Sequence, residues 1–388
     1  INIRANNTTV LYRGLYSKET IEDNYSRQNP GDYLVVVNSN MLPIVLFEAY
    51  VFADPQSTVQ LPAILEETPT AELISNVGYE YVTTKEDAEL TYLVYRKPRT
   101  AAQANRVRTV QQHYDEKQTV PIKESRIRYL RTFNNWVKTT LINRYVKSGD
   151  LVIDFAGGKG GDILKYSHAG AAELLIVDLS AESIKEAQTR ATELKNSALT
   201  VRTLTANITE DIREELRDVM RDRMADVIAI QFALHYTLET WDTFYTALDN
   251  MDSLLKVGGY AIITIPDAEV LRKQFENSNE FGNDLYRIKL LESDTDNSPA
   301  KYSFYLEDAI SDLPEYVVDV EEVQTGVDSL GWQLIENENF ADYYRSKNRT
   351  VSELELMTKI VQMRPDGTFP QDNWEIAKLY RVLVFQKS

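Results

Sequence analysis

Residues Leu151-Val152-Ile153-Asp154-Phe155-Ala156-Gly157-Gly158-Lys159-Gly160-Gly161-Asp162 decide the fold of this chain. An apolar run ends beside an acid, turns through four glycines and enters the helical pattern Ile163-Leu164-Lys165-Tyr166. Glycine suits a backbone that takes positive φ or lies against a ligand. A strand, a Gly-rich turn and a helix N-terminus make a nucleotide-binding corner. A second apolar run, Leu174-Leu175-Ile176-Val177, ends in Asp178, twenty-four residues after Asp154. An acid at that strand tip is placed to take both hydroxyls of a ribose.

A glycine turn alone also serves as a tight connection in generic α/β domains. The dinucleotide pattern G-x-G-x-x-G would place a pyrophosphate at the helix N-terminus. Here the spacing differs, and Asp154 would repel a pyrophosphate. It suits a cationic or zwitterionic ligand, such as the methionine end of S-adenosylmethionine. Asp178 adds the ribose contact, and the two together read as a pocket for that molecule.

Outward from this corner, strands alternate with helices. A helix face of Ile127, Leu130, Trp136, Val137 and Leu141 precedes it. Beyond it come a helix over Ile184–Leu194, a strand over Val201–Leu204 and the buried-looking strand Val227–Ile230. A helix over 241–255 then leads through Val257-Gly258-Gly259 to the strand Tyr260–Ile265, and Tyr380–Phe385 reads as a last antiparallel strand. This order predicts an α/β fold with a doubly wound, mostly parallel sheet, and with the S-adenosylmethionine pocket read above the expectation is a class I methyltransferase. Ligands of such sheets sit outside the carboxyl ends of the strands, where Asp154, Asp178, Asn207, Gln231 and Pro266 all fall. Residues 1–95 read as a small β-rich module, with runs at Tyr33–Val37, Ile44–Phe47, Tyr79–Val82 and Leu90–Tyr95. Residues 96–124 read as a basic linker and 125–388 as the methyltransferase domain.

Composition narrows the function classes. The 388 residues carry a net charge of −17, which argues against a protein that coats nucleic acid. The charge is uneven: between Arg96 and Lys147, thirteen Lys and Arg face three acids. That segment is either a phosphate-binding patch or a solvated basic face. No cysteine is present, so disulfides, thiolate metal sites and base methylation through a cysteine nucleophile are excluded. Three histidines leave little for a metal site, and none is expected. No apolar run approaches the ~20 residues that span a bilayer. No secretory leader follows Ile1, and an intracellular protein is expected.

After the fourth strand comes Gln231-Phe232-Ala233-Leu234-His235-Tyr236, where such a sheet meets its second substrate. The D/N-P-P-Y/F motif of exocyclic-amine methylation is absent there. So is the Lys-Asp-Lys-Glu set of ribose 2′-oxygen methylation. Six stretches, in order, carry a resemblance to the mRNA cap guanine-N7 methyltransferases. They are His113-Tyr114-Asp115-Glu116; Ser125-Arg126-Ile127 with Asn134-Asn135-Trp136-Val137-Lys138; the glycine turn; Gln231-Phe232 with His235-Tyr236; Phe281-Gly282-Asn283-Asp284-Leu285-Tyr286; and Leu313-Pro314-Glu315-Tyr316. The stretch from Trp374 to Tyr380 is similar as well.

The resemblance implies methyl transfer from S-adenosylmethionine to guanine N7 of the 5′ cap. It implies cofactor contacts at Lys138, Asp178, Gln231 and Tyr236, joined by Asp154, Ala156, Gly158 and Asn207 around the pocket. It implies cap contacts at Asn134, Asn135, Lys159, Lys165, Arg190, His235, Glu315 and Tyr380. No residue is expected as a general base, because N7 already holds a free lone pair and orientation suffices. Two positions depart from the family pattern. Asn207 stands where an acid meets the adenine. Ala156 stands in place of glycine, which is acceptable where φ is negative. The implied partners are the capped mRNA 5′ end and either upstream capping-enzyme domains or an activating subunit, with no membrane. A piece of a large-DNA-virus capping enzyme fits the pattern and would work in the cytoplasm; a cellular enzyme would work in the nucleus. Two other functions stay open on the residues alone: an inactive, stimulatory methyltransferase-like subunit, and a methyltransferase of another nucleotide.

Overall fold

The computed structural model describes strands at 58–62, 80–86 and 91–96, residues 111, 112 and 115, and residues 120–388 except 195–197, 293–298 and 329. The expected strands at Tyr33–Val37 and Ile44–Phe47 and most of the linker lie outside the described residues. The chain divides into two compact units, Ile1–Arg106 with Thr240–Thr246, and Val107–Glu239 with Ala247–Ser388. In the first unit, β1 (Thr58–Pro62), β2 (Glu80–Glu86) and β3 (Thr91–Arg96) form an antiparallel sheet in the order β1-β3-β2.

The second unit opens on helix α1 (Arg128–Tyr145). Its apolar positions recur every three or four residues, so Leu130, Phe133, Trp136, Val137 and Leu141 share one buried face. Each such side chain contributes about 1.5–3 kcal/mol on burial. The chain continues through β4 (Leu151–Phe155), α2 (Ile163–Ala169), β5 (Glu173–Asp178), α3 (Ala181–Thr192), β6 (Thr200–Thr205), α4 (Arg213–Met220) and β7 (Ala225–Gln231). After a 3₁₀ turn at Leu234–Glu239 come α5 (Trp241–Asp252), β8 (Leu255–Pro266) and α6 (Ala268–Phe275). An antiparallel excursion follows: β9 (Glu280–Asn283), β10 (Tyr286–Leu290), β11 (Lys301–Leu306) and β12 (Ile310–Tyr316). The chain closes with α7 (Val320–Asp328), β13 (Trp332–Asn339), α8 (Phe340–Ser346), α9 (Val351–Ile360), α10 (Gln371–Ala377) and β14 (Tyr380–Lys387).

Seven strands form the main sheet in the order β13-β14-β8-β7-β4-β5-β6. Strands β8, β7, β4, β5 and β6 run parallel, and β14 and β13 join antiparallel. The class I methyltransferase fold is therefore as expected, but the antiparallel last strand is interior, with β13 outside it. Strand order reverses between β4 and β7. That switch point leaves a crevice outside their carboxyl ends. It receives the glycine turn from β4 and the Gln231–Tyr236 segment from β7.

One boundary is corrected. The expected helix over 241–255 ends at Asp252, and β8 starts at Leu255, running through the glycine pair. Gly258 takes φ +80°, and a Cβ on Gly259 would lie 2.9 Å from the Asp226 carbonyl. The pair therefore shapes an irregular strand start, where register shifts between Ala225 and Val227, and does not precede the strand.

Candidate cofactor and substrate site

The glycine turn is held tightly. A Cβ on Gly157 would approach Ile176 Cγ2 to 2.9 Å, and one on Gly160 would approach Ile163 Cδ1 to 2.6 Å and the Ala187 backbone to 3.2 Å. Strand β4, strand β5 and helix α3 thus close on a backbone that admits no side chains there. Ala156 contradicts the expectation of negative φ: it sits at +53°. The turn has to leave the strand in the left-handed region immediately, and alanine bears that strain.

Asp178 ends β5 and braces the turn. Its Oδ2 accepts from Gly158 N at 2.8 Å and its Oδ1 from Ser180 N at 2.9 Å. Each oxygen keeps a lone pair for a further donor. Burial pushes the Asp178 carboxyl above its ordinary range, and Asp115 adds to this against the two backbone bonds. Ser180 caps α3 by accepting from Ser183 N, and its hydroxyl donates to Asp115. Asp115 is the one described residue of the stretch from His113 to Glu116.

Asp154 lies beneath the turn, 3% exposed. Burial and the neighbouring Asp162 push its carboxyl up to about 8, against the pull of Lys138 and Lys165. Asp162 goes the other way: burial would raise it, but Lys138 and Lys165 hold it at about 2. Lys138 Nζ lies 2.7 Å from Asp162 Oδ2, and Lys165 Nζ lies 2.5 Å from Oδ1. Lys165 also donates to Asn135 Oδ1 at 3.2 Å. One carboxylate thereby fixes Lys138, expected at the cofactor, and Lys165, expected at the cap. Sequence reading passed over Asp162, although it closes the quoted turn. Asn134, on the same helix, keeps a buried Oδ1 with no partner.

On the other wall, Glu315 is 2% exposed. Tyr236 Oη donates to its Oε1 at 2.9 Å, and Tyr302 Oη to its Oε2 at 2.8 Å. Tyr302 is a residue the sequence did not disclose. It meets Glu315 because β11 and β12 pair in the register Tyr302↔Glu315. Burial and Glu315 both raise the Tyr302 hydroxyl well above the usual phenol range. His235 stacks against Tyr236 with ring centroids 4.3 Å apart. Its Nε2 lies 3.5 Å from Glu315 Oε1, too far for a good hydrogen bond, and both ring nitrogens are buried without one. Buried polar atoms without partners are unusual in folded proteins.

Tyr380 is buried where β14 begins, its ring 5.0 Å from Phe232 and 5.7 Å from Phe340. Phe232 holds φ +58°, a strained value for an aromatic residue, fixed by bonds from its N–H to the Thr264 carbonyl and hydroxyl. Lys159 and Arg190 meet at a third residue, Glu186. Two expected contacts are engaged elsewhere. Gln231 accepts from the Thr264 hydroxyl and donates to the Ile262 carbonyl. Asn207 Oδ1 accepts from the backbone and hydroxyl of Thr209 at 3.1 and 2.8 Å.

A doubly wound sheet with this turn at its switch point and an acid on the neighbouring strand tip defines a class I S-adenosylmethionine-dependent methyltransferase. Residues 97–388 match the mRNA (guanine-N(7))-methyltransferase domain, and the chain belongs to that family. It is 32% identical over 302 residues to the mRNA cap guanine-N(7) methyltransferase of Candida glabrata, covering 72% of each chain. It is equally similar to the mRNA cap guanine-N(7) methyltransferase 1 of Oryza sativa subsp. japonica, covering 72% of this chain and 81% of that one. Among solved structures it is similar to the CcbJ methyltransferase of Streptomyces caelestis, at 14% identity and a TM-score of 0.43, covering 72% and 96% of the two chains. The residues present fit S-adenosylmethionine: Gly157 and Gly160 hold the turn where a Cβ has no room, and the spare lone pairs of Asp178 suit the hydroxyls of a ribose.

Proposed function

We propose that this chain methylates N7 of the guanine at the 5′ cap of mRNA, with S-adenosylmethionine as donor. The observation that carries the reading is Glu315, a buried carboxylate fixed by two tyrosine hydroxyls beside His235, whose ring nitrogens make no hydrogen bond. S-adenosylmethionine supplies an activated methyl group on a sulfonium. Asp154, Ala156, Gly158, Asp178 and Lys138 hold it, with Gln231, Tyr236 and Asn207 around it. Guanine N7 carries its lone pair in the ring plane, so no proton leaves it and no general base is needed. The protein's work is orientation, worth up to ~7–11 kcal/mol in well-aligned systems. Glu315 accepts from the guanine's N–H edge and favours the positive charge that the ring gains on methylation. Asn134, Asn135, His235 and Tyr380 enclose the base, and Lys159, Lys165 and Arg190 take the phosphates.

In this reading residues 1–95 form an appended β-rich module and 96–124 a basic linker into the methyltransferase domain, and upstream capping domains or an activating subunit work beside it. No helix among the described residues is long and apolar enough to cross a membrane. Work in the cytoplasm accompanies a viral source, and work in the nucleus a cellular one. The test is incubation with guanosine-capped RNA and methyl-labelled S-adenosylmethionine, followed by nuclease digestion. Label in 7-methylguanosine supports the reading. Label in ribose or in internal bases, or none at all, overturns it.

A further inference from the structure

The cations assigned to the cap phosphates are engaged by carboxylates, and in two different ways. Lys165 is held by Asp162, whose side chain is 11% exposed and anchored by a second lysine. Lys159 and Arg190 share Glu186, which is 36% exposed. Lys159 Nζ lies 3.0 Å from Glu186 Oε2, and Arg190 Nη2 lies 2.5 Å from Oε1. Each oxygen of one carboxylate thus takes one cation, which is how a phosphate bridging the two would be held. Glu186 lies on α3 one turn before Arg190, while Lys159 comes from the glycine turn. Without an anion between them the two cations would repel.

We infer that Glu186 is an internal stand-in for a cap phosphate. It keeps Lys159 and Arg190 converged while the site is free, and swings into solvent when the polyphosphate bridge arrives. The inference rests on the reading of Lys159 and Arg190 as phosphate ligands. Exposure decides which carboxylate can yield. Asp162 is largely buried and tied by two short ion pairs. Glu186 already borders solvent, and partly exposed pairs of its kind hold weakly. A consequence is a charge threshold: a polyphosphate displaces a single carboxylate from two cations, whereas a nucleoside or a monoanion does not. Glu186 is therefore a specificity-determining residue that touches no part of the transferred methyl group.

The test compares Glu186→Gln and Glu186→Ala with the unaltered chain, using capped RNA as substrate and inorganic tripolyphosphate as competitor. Both variants are expected to lower KM for capped RNA about fivefold and the inhibition constant of tripolyphosphate by a similar factor. S-adenosylmethionine affinity should stay within about twofold. The slope of log KM against log salt should steepen, because cations relieved of Glu186 gather solution anions that the substrate must release. A merely structural role for Glu186 would not move that slope. An unchanged or raised KM with an unchanged slope overturns the inference. Lys159→Ala and Arg190→Ala separate the two readings. If they raise KM for capped RNA while the Glu186 variants do not lower it, the phosphate site stands and the stand-in falls. If they leave KM unchanged, the phosphate site itself falls, and the inference with it.

Discussion

Tyr236 and Glu315, 79 residues apart in the chain, are joined by a hydrogen bond of 2.9 Å from the phenol to the carboxylate. A residue expected at the cofactor and one expected at the cap are therefore joined in one unit, completed by Tyr302 on the other oxygen. Glu315→Gln turns one acceptor into a donor that faces a tyrosine hydroxyl. The expected loss is ~3–4 kcal/mol in kcat/KM for capped RNA, several hundredfold. Tyr302→Phe alone should lose ~1.5–3 kcal/mol, since it strips a bond from a buried charge. The double variant should cost clearly less than the sum, because the residues are in contact. Steady-state kinetics on all three variants check this. Additive losses, or near-full activity of Glu315→Gln, remove Glu315 from the cap pocket.

Asp178→Ala should abolish measurable S-adenosylmethionine binding. Two charge-assisted bonds to a ribose contribute ~1.5–3 kcal/mol each. Because Asp178 also braces Gly158 and Ser180, the variant should melt a few degrees lower as well. Calorimetry of cofactor binding at a temperature well below the transition separates the two effects. An unchanged affinity there places the ribose elsewhere.

Ala156 sits at φ +53°, a conformation glycine takes freely. Left-handed backbone costs a non-glycine residue ~1–2 kcal/mol, partly offset by the greater entropy that glycine loses on folding. Ala156→Gly is expected to stabilise the chain by about 0.5–1 kcal/mol, read as a higher urea midpoint at constant m. Destabilisation would mean that the alanine methyl makes packing contacts worth more than the strain.

The carboxyl of Asp154, raised to about 8 by burial and by Asp162, makes stability depend on pH. Its folded value lies above its unfolded one. Between pH ~4 and ~8 the folded state keeps a proton that the unfolded chain has released, so stability falls as pH rises through that window. Asp154→Asn removes this slope. Unfolding free energies of the cofactor-free proteins at pH 5, 7 and 9 should show the variant gaining steadily on the original, by ~1.4 kcal/mol for each pH unit over which Asp154 stays protonated in the fold. Asp162 has the opposite sign: held at about 2 by its lysines, it stabilises above pH ~4 and that contribution disappears as pH falls toward 2. A gap between Asp154→Asn and the original that stays constant from pH 5 to 9 would show Asp154 ionised throughout.

Local sequence determined the frame. The run 151–162 specifies strand, turn and helix because glycines and apolar periodicity act over a few residues, and the alternation around it specifies a doubly wound sheet. The periodicity of 128–145 likewise declares its buried face. Tertiary structure decided the rest. That Asp162 unites Lys138 and Lys165 depends on α1 packing across the turn, and the meeting of Tyr302 with Glu315 depends on a strand register. Register, crossing of helices and the sign of φ at Ala156 follow from how distant surfaces bury against each other, and no neighbouring residue encodes them. The same holds for the bond between Tyr236 and Glu315, which forms only when β7 and the antiparallel excursion close over one crevice.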